Sequence, residues 1–470
     1  MSFDIAAIRQ QLDAIGRGQV LRFWDDLDDA GKQRLGGQLA GLDLPEIGRL
    51  VEGYVKHKPP VELPSEVKPP VVLPRRADAG REQMYADAEA KGQELLDAGK
   101  VAAFLVAGGQ GTRLGYDGPK GEYPVTPVKE KPLFQVFAEQ LLAAGKRHGK
   151  AVPWYIMTSD ANDAATRQFF EKHDFFGLDK GDVMFFAQGM MPAFATSGEM
   201  LLAEKDSLAL SPDGHGGSLR ALAKSGALAD MKKRGVEHLS YFQVDNPLVR
   251  IIDPLFLGLH ANFKSEMSSK GLPKNDPLEK VGNFCVGDGK LMVIEYSDLP
   301  DELAKQTNDD GSLKFDAGSI AIHALTVDFI DRLTSGSGVT LPWHRAEKKV
   351  PHVGEPEPAS PNAVKLEQFV FDAIPLADNA IVQSTERAEE FSPVKNAEGN
   401  DSPATSRRDQ VRRAARWLEA AGIEVPTDKD GEPDAIVEIS PLFADSAEAM
   451  KAKSLPATAI QPGERVYHGD

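Results

Sequence analysis

An uninterrupted apolar run, Val101–Val106, passes directly into a turn crowded with glycine, and this junction constrains the fold more than any other part of the chain. Six apolar residues in a row have the length of a strand that is buried on both faces. The glycines at 108, 109 and 111 remove side chains, so backbone amides can approach a ligand closely. The junction predicts a buried strand followed either by an anion-binding turn or by a tight strand-to-helix connection.

Similar apolar runs alternate with helix-like stretches further along the chain. The runs cover residues 152–158, 183–188 and 239–244, and helical patterns at 133–144 and 161–173 separate the first of them. This alternation predicts a doubly wound, mostly parallel α/β sheet. Two more apolar segments, at 283–286 and 290–296, flank Gly287-Asp-Gly289 and predict a β-hairpin that walls one side of a site.

We expect four regions along the chain. Apolar residues at helical spacing predict a helical amino-terminal region over 1–56, and six prolines between His57 and Arg76 predict an extended connector over 57–80. The catalytic domain is expected over 81–398. A polar stretch and an Arg/Ala-rich helix from about residue 408 to 421 then predict a small carboxy-terminal lobe over 399–470.

Charge and cysteine content exclude several classes of protein. Lys and Arg number 54 against 71 Asp and Glu, and the net charge of −17 argues against nucleic acid as a partner. The single cysteine, Cys285, excludes an intramolecular disulfide and a cysteine-rich metal site. The amino terminus lacks a signal-peptide pattern, and no apolar run approaches the roughly 20 residues that span a bilayer. We therefore expect a cytoplasmic protein without a membrane partner.

Two general nucleotide-binding motifs do not fit the glycine-rich turn. No Gly-Lys pair in the sequence precedes Ser or Thr, so the Walker A loop is excluded. In the dinucleotide fingerprint a third glycine would stand three positions after Gly111, where this chain has Leu114. If the glycine-rich turn binds a nucleotide, it does so through a motif other than these two.

The string Leu105-Val-Ala-Gly-Gly-Gln-Gly-Thr-Arg-Leu-Gly115 with Pro119-Lys-Gly121 closely resembles the signature of the UDP-sugar pyrophosphorylases, most of all the eukaryotic-type UDP-N-acetylglucosamine enzymes. Further matching strings follow in the same order and cover nearly the whole chain: Phe185-Phe-Ala-Gln-Gly-Met-Met-Pro192, Ser211-Pro-Asp-Gly-His-Gly-Gly217, Val244-Asp-Asn246, Lys365-Leu-Glu-Gln-Phe369 and Phe391-Ser-Pro-Val-Lys395. The resemblance implies a nucleotidyltransferase, Rossmann-like central domain and an enzyme that transfers uridylyl from UTP to a hexose-1-phosphate.

The resemblance also implies roles for individual residues. UTP contacts are expected at Val106, Ala107, Gly108, Gly109, Lys120, Gln188, Gly214, Asp245 and Lys365. Sugar-phosphate contacts are expected at His215, Glu295, Ser319 and Lys395. Arg113, Lys120 and Lys395 are the expected catalytic cations, and Asp245 is the expected ligand of Mg²⁺, the implied cofactor. In that mechanism a sugar-phosphate oxygen attacks the α-phosphorus of UTP in line, and pyrophosphate leaves.

Taken one at a time, these residues have simpler interpretations. Asp245 at a strand end is typical of a turn cap, and Lys365, Lys395 and Arg113 would be solvated surface charges in most proteins. Glu295 differs, because an unpartnered carboxylate in an apolar strand is costly and a sugar hydroxyl is a suitable partner.

The acceptor sugar stays open, because two positions depart from the N-acetylglucosamine pattern. His215 and Ser319 stand where those enzymes have Asn, and the Gly-His-Gly string is similar to UDP-glucose enzymes. GlcNAc-1-phosphate and glucose-1-phosphate are both candidates. The alternative function is a catalytically inactive protein that binds UTP or a UDP-sugar for regulation. Oligomeric state does not follow from the sequence.

Overall fold

The computed structural model describes residues 3–60, 63–336, 341–453, 455 and 459–469. Its helices are α1 Ile5–Ala14, α2 Asp29–Ala40, α3 Leu44–Leu50, α4 Glu82–Asp97, α5 Leu133–His148, α6 Asp163–Lys172, α7 Gly217–Lys224, α8 Ala227–Arg234, α9 Pro254–Asn262, α10 Asp301–Ala304, α11 Val327–Thr334, α12 Arg387–Glu390, α13 Pro403–Ala420 and α14 Ala447–Lys451. Its strands are β1 Val67–Lys68, β2 Val72–Leu73, β3 Val101–Val106, β4 Trp154–Thr158, β5 Val183–Ala187, β6 Met190–Pro192, β7 Phe194–Ala195, β8 Leu202–Glu204, β9 Ser207–Leu208, β10 Leu210–Pro212, β11 His238–Gln243, β12 Met267–Pro273, β13 Gly282–Gly287, β14 Lys290–Ile294, β15 Ala317–Thr326, β16 His344–Lys348, β17 Ala363–Glu367, β18 Ile381–Ser384, β19 Ile436–Ile439 and β20 Arg465–His468.

The chain forms two compact units. Unit 1 comprises Met1–Leu63, Gln188–Arg220 and Thr340–Asp372. Unit 2 comprises Pro64–Ala187, Ala221–Val339 and Ala373–Asp470. The four regions expected from the sequence stay a prediction.

The main sheet of unit 2 has the strand order β2-β18-β12-β15-β11-β3-β4-β5. The run β11-β3-β4-β5 is parallel throughout, as is β2-β18-β12, and β15 is antiparallel to both of its neighbours. The β13–β14 hairpin joins the sheet through β15, and its turn places Asp288 and Gly289 at positive φ. The predicted doubly wound, mostly parallel α/β fold is confirmed.

Strand β3 is the predicted apolar run, and it lies between β11 and β4 with its first five residues buried. The helix expected from residue 408 instead begins at Pro403. Ser402 caps it, because the Ser402 hydroxyl accepts from the Thr405 amide and the Thr405 hydroxyl accepts from the Ser402 amide. Proline suits the first helical turn, where no intrahelical donor is required. Residues 403–407 of the polar stretch therefore belong to the helix, and residues 399–402 precede it.

Helices α4 and α9 of unit 2 cross at two glycines. A Cβ atom on Gly258 would lie 1.6 Å from the Ala88 carbonyl oxygen, and one on Gly92 would lie 1.8 Å from the Pro254 carbonyl oxygen. Both obstacles are backbone atoms, which cannot rotate away as a side chain can. The crossing therefore requires glycine in both helices.

We expect Gly258→Ala to lower the free energy of unfolding by about 1–3 kcal/mol, since the added methyl group forces α4 and α9 apart. Chemical or thermal denaturation would measure the loss. Gly37→Ala in α2 is the control, because a Cβ there meets nothing within 4 Å and alanine favours a helix. Equal unfolding midpoints for Gly258→Ala and the parent protein would contradict the close crossing.

Unit 1 is built on the amino-terminal helices and short strands. Strands β16, β17 and β7 form one antiparallel sheet, and β6 pairs with β10. Its core is a hydrophobic cluster in which Leu35 and Leu39 of α2 join Phe194 of β7 and Val364 and Leu366 of β17.

In the part of the chain that the structure describes, no helix combines the length and the apolar character needed to cross a membrane.

Candidate active site

The glycine-rich turn after β3 is braced from one side by two polar residues that follow β4. The Asn162 side-chain amide donates to the carbonyl oxygens of Ala107 at 2.9 Å and Gly109 at 3.3 Å. Ser159 Oγ donates to the Gly108 carbonyl at 2.9 Å, and the Ser159 amide donates to Asn162 Oδ1 at 2.8 Å. Because its carbonyl groups are hydrogen-bonded in this way, the turn is held in a fixed conformation.

The amides at the tip of the turn are left available. Among the described residues, none accepts a hydrogen bond from the backbone N–H of Gly108, Gly109 or Gln110. The flanking amides of Ala107 and Gly111 do donate, each at 2.8 Å, to other backbone carbonyls. A Cβ atom on Gly109 would meet no heavy atom within 4 Å, so the space beside it is open. Consecutive unused N–H donors beside open space suit a phosphate group or the edge of a base.

Three cations and a carboxylate interact near this turn, and we call them the cationic cluster: Arg113, Lys120, Asp245 and Lys395. Burial lowers the pKa of Lys120 below its ordinary value, and the positive charges of Arg113 and Lys395 lower that pKa further. The Asp245 carboxylate opposes both effects. The protein thus holds a partly buried ammonium group whose charged form an additional anion would stabilise.

Parallel strand ends bring the cationic cluster together. Gln243 of β11 pairs with Val106 of β3, so Asp245 and the glycine-rich turn emerge at the same edge of the sheet. The Val394 amide donates to the Asp245 carbonyl at 2.8 Å, and Lys120 Nζ donates to the Val394 carbonyl at 3.4 Å. Lys395 follows directly, with its Nζ 3.9 Å from the Asp401 carboxylate.

Glu295 and Ser319 approach each other beside Gly282. A Cβ atom on Gly282 would lie 3.7 Å from Glu295 Oε1 and 3.8 Å from Ser319 Cβ. Gly282 of β13 also pairs directly with Ser319 of β15. Next to them, Lys274 Nζ donates to Asn283 Oδ1 at 2.6 Å, and burial lowers the pKa of this lysine. The predicted sugar-contacting pair of unit 2 is therefore close in space, and Lys274 is a neighbour that the sequence did not indicate.

His215 of unit 1 is half-buried and lies among aromatic rings. It stacks on Phe369 with ring centroids 5.1 Å apart, and Phe371 lies at 5.9 Å. The Val370 amide donates to His215 Nδ1 at 3.1 Å. Burial, with a smaller contribution from His344, lowers the pKa of His215 to about 4. His215 is therefore neutral at pH 7, and because Nδ1 accepts, its single proton is on Nε2.

The remaining residues predicted to contact UTP also lie in unit 1. Gly214 has φ of +86°, and a Cβ atom there would lie 2.4 Å from the Gln368 carbonyl oxygen, so only glycine fits. Gln188 is 8 % exposed, and its side chain has no hydrogen-bond partner among the residues that the structure describes. Lys365 lies on β17 and is half-buried, without an ion pair to any described residue.

The structure thus brings several of the predicted site residues together, but it does not show which substrate each of them contacts. Unit 2 brings Arg113, Lys120, Asp245 and Lys395 into one cluster and Glu295 and Ser319 into a pair. Sequence reasoning missed Asn162, which braces the turn. Its signal was a Ser-x-x-Asn pattern directly after the second predicted strand.

Comparisons with known proteins show the family to which the chain belongs. Residues 65–401 match the family described as UTP–glucose-1-phosphate uridylyltransferase. The chain is 38 % identical over 94 % of its length to the human UDP-N-acetylhexosamine pyrophosphorylase-like protein 1, covering 94 % of it. It is 40 % identical to the UDP-N-acetylglucosamine pyrophosphorylase of Saccharomyces cerevisiae over 76 % of this chain and 77 % of that one. The crystal structure of the Trypanosoma brucei UDP-N-acetylglucosamine pyrophosphorylase has the same fold, with a TM-score of 0.83 at 24 % identity over 100 % of this chain and 99 % of that one. The family resemblance predicted from the sequence is confirmed, and the chain belongs to the UTP–glucose-1-phosphate uridylyltransferase family of UDP-sugar pyrophosphorylases.

Proposed function

We propose that this protein joins UTP and a hexose-1-phosphate into a UDP-sugar with release of pyrophosphate, and that GlcNAc-1-phosphate is its main acceptor. The observation that carries the proposal is the row of unused amides at Gly108, Gly109 and Gln110 beside the cationic cluster. The name of the yeast relative supports GlcNAc, and the name of the human relative supports an N-acetylhexosamine.

In the proposed reaction a phosphate oxygen of the sugar-1-phosphate attacks the α-phosphorus of UTP. A new P–O bond forms as the bond to the β-phosphate oxygen breaks, and the electron pair leaves with pyrophosphate. The attacking oxygen is already anionic, so no side chain has to act as nucleophile or remove a proton. What the protein must supply is positive charge that holds two mutually repelling anions together.

Each group of the chain then has a proposed role. The turn amides with Lys120 and Lys365 bind the phosphates of UTP, and Gln188 with the backbone of Gly214 contacts uracil. Lys395 contacts the phosphate of the sugar substrate. Arg113, Lys120 and Lys395 offset charge as it builds on the α-phosphate and on pyrophosphate.

The residues fit Mg²⁺ as a cofactor shared with the substrates. No set of three or more His, Cys, Asp or Glu in the described ranges is placed to hold a metal alone. The partly exposed Asp245 at the end of β11 offers one hard oxygen ligand, and phosphate oxygens of UTP would provide others. When bound there, Mg²⁺ would supply positive charge to the phosphate oxygens.

Pyrophosphate release tests the proposal directly. We expect release with UTP and Mg²⁺ in the presence of GlcNAc-1-phosphate, measured against GalNAc-1-phosphate, glucose-1-phosphate and galactose-1-phosphate, with ATP and TTP as nucleotide controls. UTP binding without release on any sugar would contradict the proposal and favour the regulatory alternative.

We expect His215→Asn to raise the kcat/KM ratio of GlcNAc-1-phosphate over glucose-1-phosphate about 5–10-fold, the effect of roughly one hydrogen bond. His215 presents a single donor because its Nδ1 is occupied by the Val370 amide, whereas an asparagine amide offers both a donor and an acceptor to an acetamido group. His260→Asn is the control, since His260 also has a pKa that burial lowers, to about 3, and lies on α9 of unit 2. If the kcat/KM ratio of the two sugars is unchanged in His215→Asn, His215 does not contribute to the choice of sugar.

A further inference from the structure

The side chain of Asn246, which follows β11, contacts the backbone of the chain segment that leads to Lys395. Its Nδ2 donates to the Glu390 carbonyl at 2.7 Å, and its Oδ1 accepts from the Ser392 amide at 3.1 Å. Asn246 is 5 % exposed, so these hydrogen bonds are not exchanged for water. Asn246 thus holds the peptide groups on both sides of Phe391.

The Glu390 side chain of this segment is held by a buried ion cluster. Lys270 is 1 % exposed and donates to both oxygens of the Glu390 carboxylate at 2.6 and 2.8 Å, and to Asp253 at 2.7 Å. The Thr385 hydroxyl also donates to Glu390 Oε1, at 2.7 Å. Such a buried cluster is stable only when all of its members are in place. Glu390 is therefore a fixed point, and Asn246 directs the chain from it together with Ser406, whose hydroxyl donates to the Ser392 carbonyl at 2.9 Å.

Residues 393–395 continue from this fixed point into the cationic cluster. The Val394 amide contacts the Asp245 carbonyl, and the Val394 carbonyl accepts from Lys120 Nζ. A shift of the segment relative to β11 would thus move Lys395, which follows Val394 directly, relative to Asp245. Misplacement of about 1 Å can reduce the rate of an oriented reaction about 10²-fold.

We propose that Asn246 is a positioning residue that aligns Lys395 with the metal-binding end of β11, an inference that rests on the proposed uridylyl transfer. The Asn246 side chain is buried, and both of its polar atoms are bonded to backbone groups. It acts through the backbone of residues 390–394, so its contribution exists only while Lys395 is present to be aligned.

A double-mutant cycle on the full-length protein tests this dependence. Asn246→Ala should lower kcat about 10–100-fold and raise KM for GlcNAc-1-phosphate, as expected for a misplaced Lys395. In the Lys395→Ala background the same substitution should cost less than about threefold, because nothing remains to be aligned. A full 10–100-fold loss in that background would mean that Asn246 acts independently of Lys395 and would overturn the inference.

Two further variants distinguish a loss of alignment from a loss of folding. Asn246→Asp keeps the size and the acceptor for the Ser392 amide but turns an anionic oxygen toward the Glu390 carbonyl, so it should lose at least as much activity as Asn246→Ala. Ser240→Ala removes another buried side-chain hydrogen bond on β11, to the Ile251 carbonyl, and should keep kcat within about twofold. Near-parental kcat in Asn246→Asp would also overturn the inference. A parental protein that releases no pyrophosphate would instead contradict the proposed function.

Discussion

Lys120→Met is expected to lower kcat for UDP-sugar formation about 10²–10³-fold, which is the usual loss when one preorganised group that stabilises charge in a transition state is removed. Lys120 lies beside Asp245, Arg113 and Lys395, and methionine retains most of the length of the side chain while removing the charge. The loss should appear mainly in kcat, because the charge on the α-phosphate and on pyrophosphate grows as the reaction proceeds. Steady-state pyrophosphate release over a range of both substrates measures it.

Lys290→Met is the matched control, since Lys290 is an exposed lysine at the start of β14 and outside the cationic cluster. It should keep kcat within about twofold. Parental activity should also fall in alkaline solution as Lys120 loses its proton, at a lower pH than an ordinary lysine would give, because its pKa is lowered. Near-normal turnover in a folded Lys120→Met protein would exclude Lys120 from catalysis.

The same substitution should not destabilise the substrate-free protein. Since the folded-state pKa of Lys120 is lowered from 10.5, its protonated form opposes folding at neutral pH, and that cost fades as the pH rises through the folded-state pKa toward 10.5. Lys120→Met should therefore unfold at an equal or higher temperature at pH 7, and any advantage should shrink in alkaline solution. Loss of activity without loss of stability is typical of a residue placed for function.

The framework of unit 2 was predictable because its signals are local. The apolar run at 101–106 and the Gly-Asp-Gly turn between two apolar segments each specify their element within a few residues, and both are observed. The early start of α13 was also encoded locally, by Ser402 and Pro403, but the polar residues around them resembled a loop. Such errors concern boundaries, where capping geometry outweighs composition.

The contacts that shape the candidate site join residues far apart in the chain. His215 accepts from an amide 155 positions away, and Asn246 donates to a carbonyl 144 positions away. No periodicity or spacing in one sequence indicates such pairs. The family resemblance implied roles for individual residues but not the hydrogen bonds that hold those residues in place. The lowered pKa of Lys120 is likewise a property of the assembled cluster, because burial and neighbouring charges exist only after folding.

Asp245→Asn is expected to lower kcat/KM about 10²–10³-fold and to raise the Mg²⁺ concentration needed for half-maximal activity, because an amide replaces the one acidic oxygen ligand proposed here. It should have a second effect that metal binding alone would not produce. The Asp245 carboxylate raises the pKa of Lys120 against burial and two cations, so the asparagine variant should lower that pKa further. The alkaline decline of kcat/KM should then begin at lower pH.

The two effects separate the possible roles of Asp245. Asp331→Asn is the control, since it removes a surface carboxylate that pairs with Lys232 and should change neither the Mg²⁺ requirement nor the pH profile. A shifted alkaline limb with an unchanged Mg²⁺ requirement would make Asp245 an electrostatic partner of Lys120 and not a metal ligand. An altered Mg²⁺ requirement with an unshifted limb would mean that Lys120 is not the group whose deprotonation limits the rate. Only the joint change is expected if one carboxylate both holds the metal and keeps the neighbouring ammonium charged.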